Sequence, residues 1–333
     1  MQSRDIATAL LLLTLSALTA CSSSSPNSSD NAIASSSDGT GNNGESDGNN
    51  SMPEVRGSCA PGATTITQGA SVADDGAKQY FLIPFSVDSA TRRIEVGYGW
   101  NDNSSSPNPN PLDSSTFDLG LWDQHGYRSA GGFRGWSGDR QGRLDQGKMP
   151  VWVEKGSAER GYIPGEILPG EWYLEIGVGA VKTGGASWYA EINCLGGDSG
   201  ATFTKDPLDK NFTAQQNAPP FPGWYHADFH MHGFHSNSQG ITASGMLNNA
   251  RAVGLDVLFY TEYVVPQHWD ELGTLQQQNS DLLIYPGREI ITYFGHINTL
   301  GETRSVIDYR HGFEDVNLGD IQQAAVAAGA LVQ

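Results

Sequence analysis

The sequence predicts a multidomain protein in which an antiparallel β-sandwich is followed by an incomplete α/β barrel. Two observations lead to this prediction. Between residues 59 and 196, apolar and polar residues alternate in short segments separated by loops rich in Gly, Pro and Asn, which is typical of half-buried antiparallel strands. Between residues 224 and 333, apolar runs of strand length alternate with segments of helical spacing, which is typical of α/β folds.

Residues 1–21 have the features of a lipoprotein signal peptide. The run from Ala7 to Thr19 carries no charge and is too short to cross a hydrocarbon core of roughly 30 Å as a stable helix. It leads into Cys21 through small residues, which resembles the bacterial lipobox, so we expect Cys21 to be lipidated. Ser22 rather than Asp follows, so the expected location is the outer membrane, facing the periplasm or the cell surface, with the lipid as anchor. The alternative is an ordinary secretory peptide with an incidental Cys.

Residues 22–58 are mainly Ser, Asn, Gly and Asp. The segment buries too little apolar surface to offset chain entropy, so it is predicted to be a disordered linker.

The formal net charge of the chain is −18, from 37 acidic and 19 basic residues, so we expect no nucleic-acid partner. Charged residues make up only 17% of the chain, which favours a role of the acidity in solubility.

Two cysteines remain once Cys21 is assigned to the lipid. Cys59 and Cys194 bracket the predicted sandwich, and disulfides persist in exported proteins. We therefore expect a Cys59–Cys194 disulfide, which would stabilise the fold by roughly 4–5 kcal/mol in the chain-entropy model.

The predicted β-sandwich, residues 59–196, rests on four sets of alternating apolar residues that share one face of a strand. The sets are Ile94, Val96, Tyr98 and Trp100; Phe117, Leu119 and Leu121; Trp172, Leu174, Ile176 and Val178; and Trp188, Ala190, Ile192 and Cys194. No amphipathic helix is evident between them. The loop from Gly132 to Arg143 could contact a ligand, but we favour a solvated hairpin with one buried Trp.

After a predicted linker, residues 197–223, a histidine pair begins the predicted barrel, residues 224–333. Asp228, His230 and His232 occupy alternate positions, and alternate side chains of a strand share a face. Two imidazoles in this arrangement can bind one cation with a carboxylate beside them. His235 follows closely and is a further candidate ligand.

The next elements have the order expected of an α/β barrel. A helix is predicted at residues 241–252, ended by Gly254, and another at residues 320–328. Apolar runs at residues 255–261, 282–285, 297–300 and 331–332 predict strands, the first of them covered on both sides. Polar residues, among them Glu262 and Glu289, follow the first two runs, where α/β barrels carry their active sites.

At this point the sequence resembles a known family. The run GWYHADFHMH is similar to the opening of PHP (polymerase and histidinol phosphatase) proteins, and YPGREIITYFGHINTLG is similar to their third motif. A sandwich followed by Gly-Trp-Tyr resembles the CehA/McbA-type metallohydrolases in particular. The similarity covers roughly residues 80 to 333.

The resemblance implies a distorted (β/α)7 barrel with two or three metal ions, commonly Zn, Mn or Fe; we expect two. It implies that His230 and His232 are ligands, that Glu289 bridges the metals, and that His296 is a further ligand. Imidazole and carboxylate ligands suit these metals and are a poor cage for Ca. Metal ions of this kind lower the pKa of bound water towards 7 and polarise a substrate oxygen.

The chain departs from the family pattern at the end of the second strand. The family usually has Thr-Asp-His where this chain has Thr261, Glu262 and Tyr263, which leaves one metal position in doubt. His268 could compensate, but the surrounding Pro-Gln-His-Trp predicts a loop surface. We interpret Glu262 and Arg288 as the catalytic candidates, because Glu can replace Asp and Arg288 is the basic residue nearest to the predicted ligands.

The predicted barrel is also short. About 110 residues from residue 224 onwards compare with roughly 200 or more for a complete barrel of this kind, so we expect a truncated product or fragment. A natural short form completed by a partner or a second copy is the alternative.

Three functions follow. The first is an exported metal-dependent hydrolase of the PHP type that uses metal-activated water on a small phosphoester. The second is the carboxylester or carbamate hydrolysis associated with the CehA/McbA group. The third is a non-catalytic lipoprotein with a degenerate barrel. The acidic charge balance argues against hydrolysis of nucleic acid.

Overall fold

The computed structural model describes residues 58–103, 113–138, 140, 151–197, 223–236, 241–301 and 305–333. The predicted signal peptide with Cys21, the linker before Ser58 and residues 198–222 of the second linker lie outside these ranges. Among the described helices, none combines the length and the apolar character that a membrane crossing requires.

Two sheets form a β-sandwich in the first part of the described chain. The strands are β1 (Ser58–Cys59), β2 (Ile66–Val72), β3 (Gln79–Val87), β4 (Arg93–Asp102), β5 (Thr116–Trp122), β6 (Phe133–Ser137), β7 (Val151–Glu154), β8 (Gly170–Ala180) and β9 (Ala186–Leu195). One sheet has the order β1-β3-β8-β5-β6 and the other β2-β9-β4-β7. Neighbouring strands are antiparallel apart from the short pair β1 and β3.

The predicted alternation is confirmed in the core between these sheets. All four sets of apolar residues contribute to one cluster of buried side chains, and only Trp100 at the end of its set is partly exposed. On β8 the inward positions Trp172, Leu174 and Ile176 are completely buried. Burying one such side chain stabilises the fold by roughly 1.5–3 kcal/mol, so this core accounts for the sandwich.

A disulfide joins the two sheets of the sandwich. Cys59 of β1 and Cys194 of β9 are bonded, with their Cα atoms 5.3 Å apart and a sequence separation of 135. The bond links one edge of the five-stranded sheet to the four-stranded sheet.

An α/β region follows the sandwich. Its elements are β10 (Ala227–Met231), α1 (Ala243–Ala252), β11 (Val257–Tyr263), α2 (Trp269–Gln278), β12 (Leu283–Thr292), β13 (Gly295–Leu300), α3 (Leu318–Ala327) and β14 (Leu331–Val332). The five strands lie side by side in sequence order. Strands β10, β11 and β12 are parallel, so their carboxyl ends point in the same direction.

Local sequence signals explain the helices that were predicted. Thr242 caps α1 by accepting a hydrogen bond from the backbone of Gly245, and Gly254 follows the helix with a φ of 75° that favours glycine. Asn317 and Asp320 form a reciprocal capping box at the start of α3.

The prediction of a loop surface around His268 is wrong. Pro266–His268 forms a 3-10 turn that leads directly into α2, and His268 is completely buried. Trp269, Leu272 and Gln276 give the helix one buried face. Acidic residues in its first turn complement the helix dipole, a signal that the proline-based loop prediction overlooked.

Within the described residues the α/β strands form an open sheet, and a barrel is not seen. After β12 the chain reverses at Gly295, whose φ of 134° few other residues adopt, and β13 returns antiparallel to β12. Strand β14 pairs with β13, again antiparallel. The sheet is therefore mixed, whereas strand-helix alternation alone predicts parallel pairing.

The sandwich and the α/β sheet share a second core. It contains Tyr80, Trp122, Phe133 and Trp136 from the sandwich together with Val264, Ile290, Ile297, Ile307, Tyr309 and Ile321 from the α/β region. The prediction of a solvated hairpin after Gly132 is therefore wrong for its described part. Phe133, Arg134 and Trp136 are all buried there, because the α/β region covers them.

Candidate metal centre

Strand β10 delivers the histidine pair. Its pairing with β11 shifts register between Asp228 and Met231, and such a bulge re-aims side chains locally. The Asp228 carboxylate accepts a hydrogen bond from the backbone N–H of His230, which holds the bulge. His230 Nε2 and His232 Nε2 lie 2.9 Å apart. The side chains of His230 and His232 are 46% and 26% exposed, so both rings are accessible from solvent.

Strand β12 brings a buried carboxylate to this pair. Glu289 lies opposite Tyr263, the last residue of β11, in the parallel pairing of the two strands. Its Oε2 atom lies 3.1 Å from His230 Nε2 and 2.9 Å from His232 Nε2, and its side chain is only 4% exposed. The ligand atoms of these three residues all fall within 4.8 Å of one another, so the group can hold a metal ion.

The separations of the three donor atoms suit coordination of one cation. Two or more atoms bound about 2.0–2.2 Å from one metal lie about 2.8–3.5 Å apart, and the three observed separations fall in that range. Within the described structure, Oε2 of Glu289 is buried without a hydrogen-bond donor, although two Nε2 atoms lie close to it. A shared cation satisfies all three atoms at once.

A third histidine approaches the other oxygen of the carboxylate. Strand β13 places His296 opposite Ile291 of β12, and His296 Nδ1 lies 2.6 Å from Glu289 Oε1. The His296 side chain is 54% exposed. Glu289 therefore has imidazole nitrogens on both of its oxygens.

The surroundings keep Glu289 ionised. Burial alone raises the pKa of this carboxyl, but the adjacent imidazoles of His232, His230 and His296 lower it, so that the pKa falls to about 2. At neutral pH the group is thus an anionic ligand.

The structure does not bring every predicted site residue into this group. His235 Nε2 lies 3.1 Å from Glu271 Oε1 of α2, and His235 is not among the three clustered ligands. Arg288 is completely buried, donates to the carbonyl oxygens of Val264 and Ser305, and lies over the ring of Trp269. Because side chains alternate along a strand, Arg288 faces away from the side that carries Glu289.

Glu262 is also completely buried, and it organises the loop after the histidine pair. Its Oε1 accepts hydrogen bonds from the backbone N–H groups of Gly233 and His235, and its Oε2 accepts one from Ser236. The distances are 3.0, 3.1 and 2.9 Å. Both oxygens are thus engaged by the backbone of residues 233–236.

His268 does not reach the cluster. Its Nε2 bonds to the carbonyl oxygen of Gly287 at 2.9 Å, and burial holds its pKa well below the usual value. It is a neutral packing residue between α2 and β12 rather than a replacement ligand.

Two residues that sequence reasoning did not select as site residues adjoin His232. The ring of Tyr263 lies 4.4 Å from the His232 ring, between centroids, and meets Trp136 of the sandwich edge-on. Ser236 Oγ lies 3.1 Å from His232 Nδ1. Tyr263 was noted only as a departure from the family motif, and nothing in the sequence indicates the role of Ser236.

Fold and site together define a β-rich protein of several sheets with a His-Glu cluster, at the ends of parallel strands, that can hold a metal ion. Comparison of the sequence with models of known protein families and with curated proteins gives no match.

Proposed function

We propose that this chain is a metal-dependent hydrolase of the PHP type, acting on a small phosphoester. The observation that carries the proposal is the convergence of His230 Nε2, His232 Nε2 and Glu289 Oε2 within 4.8 Å, at positions that the PHP-like motifs assign to metal ligands. The partial exposure of the two imidazoles supports access of a small substrate to this point.

The proposed cofactor is a pair of divalent ions, Zn, Mn or Fe. Glu289 supports a pair because its two oxygens face imidazoles on different strands, His230 and His232 on one side and His296 on the other. When bound, such ions lower the pKa of water and polarise the scissile ester. His230, His232 and His296 would act as neutral donors and Glu289 as the shared anion.

Glu262 and Arg288 enter the proposal as residues that position the site. Both side chains are completely buried, and each already bonds to backbone groups. In their place, a water molecule at the metal site would supply the attacking oxygen. The proposal also retains a lipid anchor at Cys21 in the outer membrane.

Hydrolysis of a carboxylester or carbamate is the second candidate. The orientation of Arg288 favours it, because the basic residue nearest to the ligands in sequence is bonded to Val264 and Ser305 and stacked on Trp269. A neutral ester needs no such cation at the site, whereas a phosphate gains from one.

A substrate panel tests the proposal. Full-length protein loaded with Mn or Zn is assayed with chromogenic phosphomonoesters, carboxylesters and carbamates. The expected result is phosphomonoester turnover that the double variant His230→Ala/His232→Ala abolishes. The matched control is His226→Ala, which removes an 81% exposed imidazole immediately before β10.

Elemental analysis of the purified protein distinguishes a metal-dependent hydrolase from a non-catalytic lipoprotein. Less than one metal per chain, unchanged in the double variant, together with no turnover, would leave the non-catalytic lipoprotein as the interpretation. Turnover of carboxylesters alone would replace the phosphoester proposal with the second candidate.

A further inference from the structure

Ser236 occupies a position between a strand end and a metal-site histidine. Its Oγ lies 3.1 Å from His232 Nδ1 and accepts a hydrogen bond of 2.7 Å from the backbone N–H of Tyr263. The hydroxyl therefore connects the last residue of β11 to the ring that follows β10.

Counting protons fixes the direction of the contact with the ring. A neutral imidazole carries one N–H. If Nε2 of His232 binds a cation beside Glu289 Oε2, its lone pair is used and the proton must lie on Nδ1. Ser236 Oγ is then the acceptor for Nδ1–H. A serine oxygen has two lone pairs, so it can accept from both His232 and Tyr263.

The loop that carries Ser236 is held by a buried side chain. Glu262 of β11 is completely buried and accepts three backbone hydrogen bonds, from Gly233, His235 and Ser236. These bonds tie the loop to the end of β11.

We infer that Ser236, held in place by Glu262, is a positioning residue that fixes His232 as the Nδ1–H tautomer and aims Nε2 at the cation. The inference rests on the metal site of the proposed function and adds the residues that orient it. Partners of this kind, which bind the second nitrogen of a ligand histidine, typically change metal affinity by 10–100-fold when removed.

Metal affinity tests the inference without any assay of turnover. Dissociation constants for Zn and Mn are measured by chelator competition in wild-type protein and in Ser236→Ala, Ser236→Thr and the control Ser187→Ala. Ser187 is a partly exposed serine of the sandwich whose hydroxyl bonds to Ser71 and Asn103. We expect Ser236→Ala to weaken binding about 10–100-fold, with Thr, which keeps the hydroxyl, and the control within about 3-fold of wild type. Equal affinities for Ser236→Ala and wild type would overturn the inference.

The tautomer itself gives a second measurement that needs no variant. Long-range ¹H–¹⁵N spectra of histidine-labelled, Zn-loaded wild-type protein should report His232 with its proton on Nδ1. A proton on Nε2 would overturn the inference even if Ser236→Ala fails to fold. Correct tautomer and affinities without any ester hydrolysis would leave the inference intact and remove the proposed function.

Discussion

Two buried glutamates of this molecule have opposite surroundings. Glu175 on β8 accepts hydrogen bonds from Trp122 Nε1 at 2.9 Å and Tyr309 Oη at 2.6 Å, and lies 3.5 Å from Arg310 Nη1. We call these four residues the Glu175 cluster. Glu289 on β12 is surrounded by imidazoles, and its Oε2 has no hydrogen-bond donor among the described residues.

The two carboxyls also differ in their acidity. Burial raises the pKa of Glu175, against the opposing effects of Arg310, Tyr309 and Trp122. The pKa of Glu289 is lowered to about 2 by its imidazoles, despite burial. The comparison teaches that burial does not decide what a carboxylate does. Donors that satisfy it completely make it part of the core, whereas half-exposed imidazoles leave it able to take up a cation.

The largest expected effect is on stability. Glu175→Ala should lower the free energy of unfolding by about 3–5 kcal/mol, because Arg310, Tyr309 and Trp122 lose their shared acceptor inside the protein. Urea unfolding measures the loss. Metal affinity, measured on the folded fraction, should stay at the wild-type value, and a large loss of affinity would mean that the two regions are not distinct.

The corresponding substitution of Glu289 should affect metal binding. Glu289→Gln should weaken Zn or Mn binding by more than about 100-fold, equivalent to about 2.7 kcal/mol, since it replaces the one anion of the three-residue group. Titration calorimetry gives the affinity. The depressed pKa of Glu289 means that the variant also loses the stabilisation of the carboxylate by its imidazoles, so the distinction from Glu175→Ala rests on metal affinity. An unchanged affinity in Glu289→Gln would contradict it.

A smaller effect is expected from overpacking the Glu175 cluster. A Cβ added at Gly120 would lie 2.8 Å from Tyr309 Oη and 3.0 Å from Glu175 Oε1. Gly120→Ala should therefore cost about 1–3 kcal/mol of unfolding free energy, with the metal site unaffected. The control is Gly223→Ala, whose added Cβ meets no atom within 4 Å and which should change the unfolding free energy little.

The smallest effect is a pair of opposite pH dependences in the metal-free protein. Glu289 has a depressed pKa, so its stabilisation relative to Glu289→Gln is present above about pH 4.3, the unfolded value, and is lost as the pH falls towards 2. Glu175 has a raised pKa, so its stabilisation relative to Glu175→Gln is full below about pH 4.3 and declines as the pH rises. Urea unfolding of the four proteins across the acid range checks both signs; slopes of the same sign would refute the contrast.

Local patterns were sufficient for four of the nine sandwich strands, for the strands of the α/β region and for two of the three described helices. Strand β3 was among those missed, because its apolar residues are nearly continuous and Pro84 interrupts the alternation. Helix α2 was not predicted, and the residues at its start, Pro266 to Trp269, were predicted to be a loop surface, although a proline is tolerated at the start of a helical turn. In both cases the missing information was local and present in the sequence.

The candidate site was predictable only in part. The spacing of His230 and His232 and the motif around Glu289 selected the three residues that converge. Tyr263 and the sandwich residue Trp136 come to the site through pairing and packing between distant segments, which no local pattern encodes. Ser236 is close to His232 in sequence, but its place is set by bonds to Glu262 and Tyr263 of β11.

The same limit applies to the outer face of the sandwich. Asp118 and Glu175 alternate with core residues, the pattern of solvent-facing positions, yet both are buried. Tyr293 and Tyr309 of the α/β region bond to them across the shared core. A strand's own sequence does not reveal which distant element will cover it.

The shared core couples the sandwich to events at the strand ends. Since Trp122 and Phe133 pack in the same cluster as Val264 and Ile290, the sheets on either side cannot separate without exposing it. A cation that binds only the folded chain then protects both regions by mass action. Amide protons of β5 and β8 should exchange more slowly when metal is added. Hydrogen exchange in the sandwich would then report the fraction of chains whose metal site is occupied.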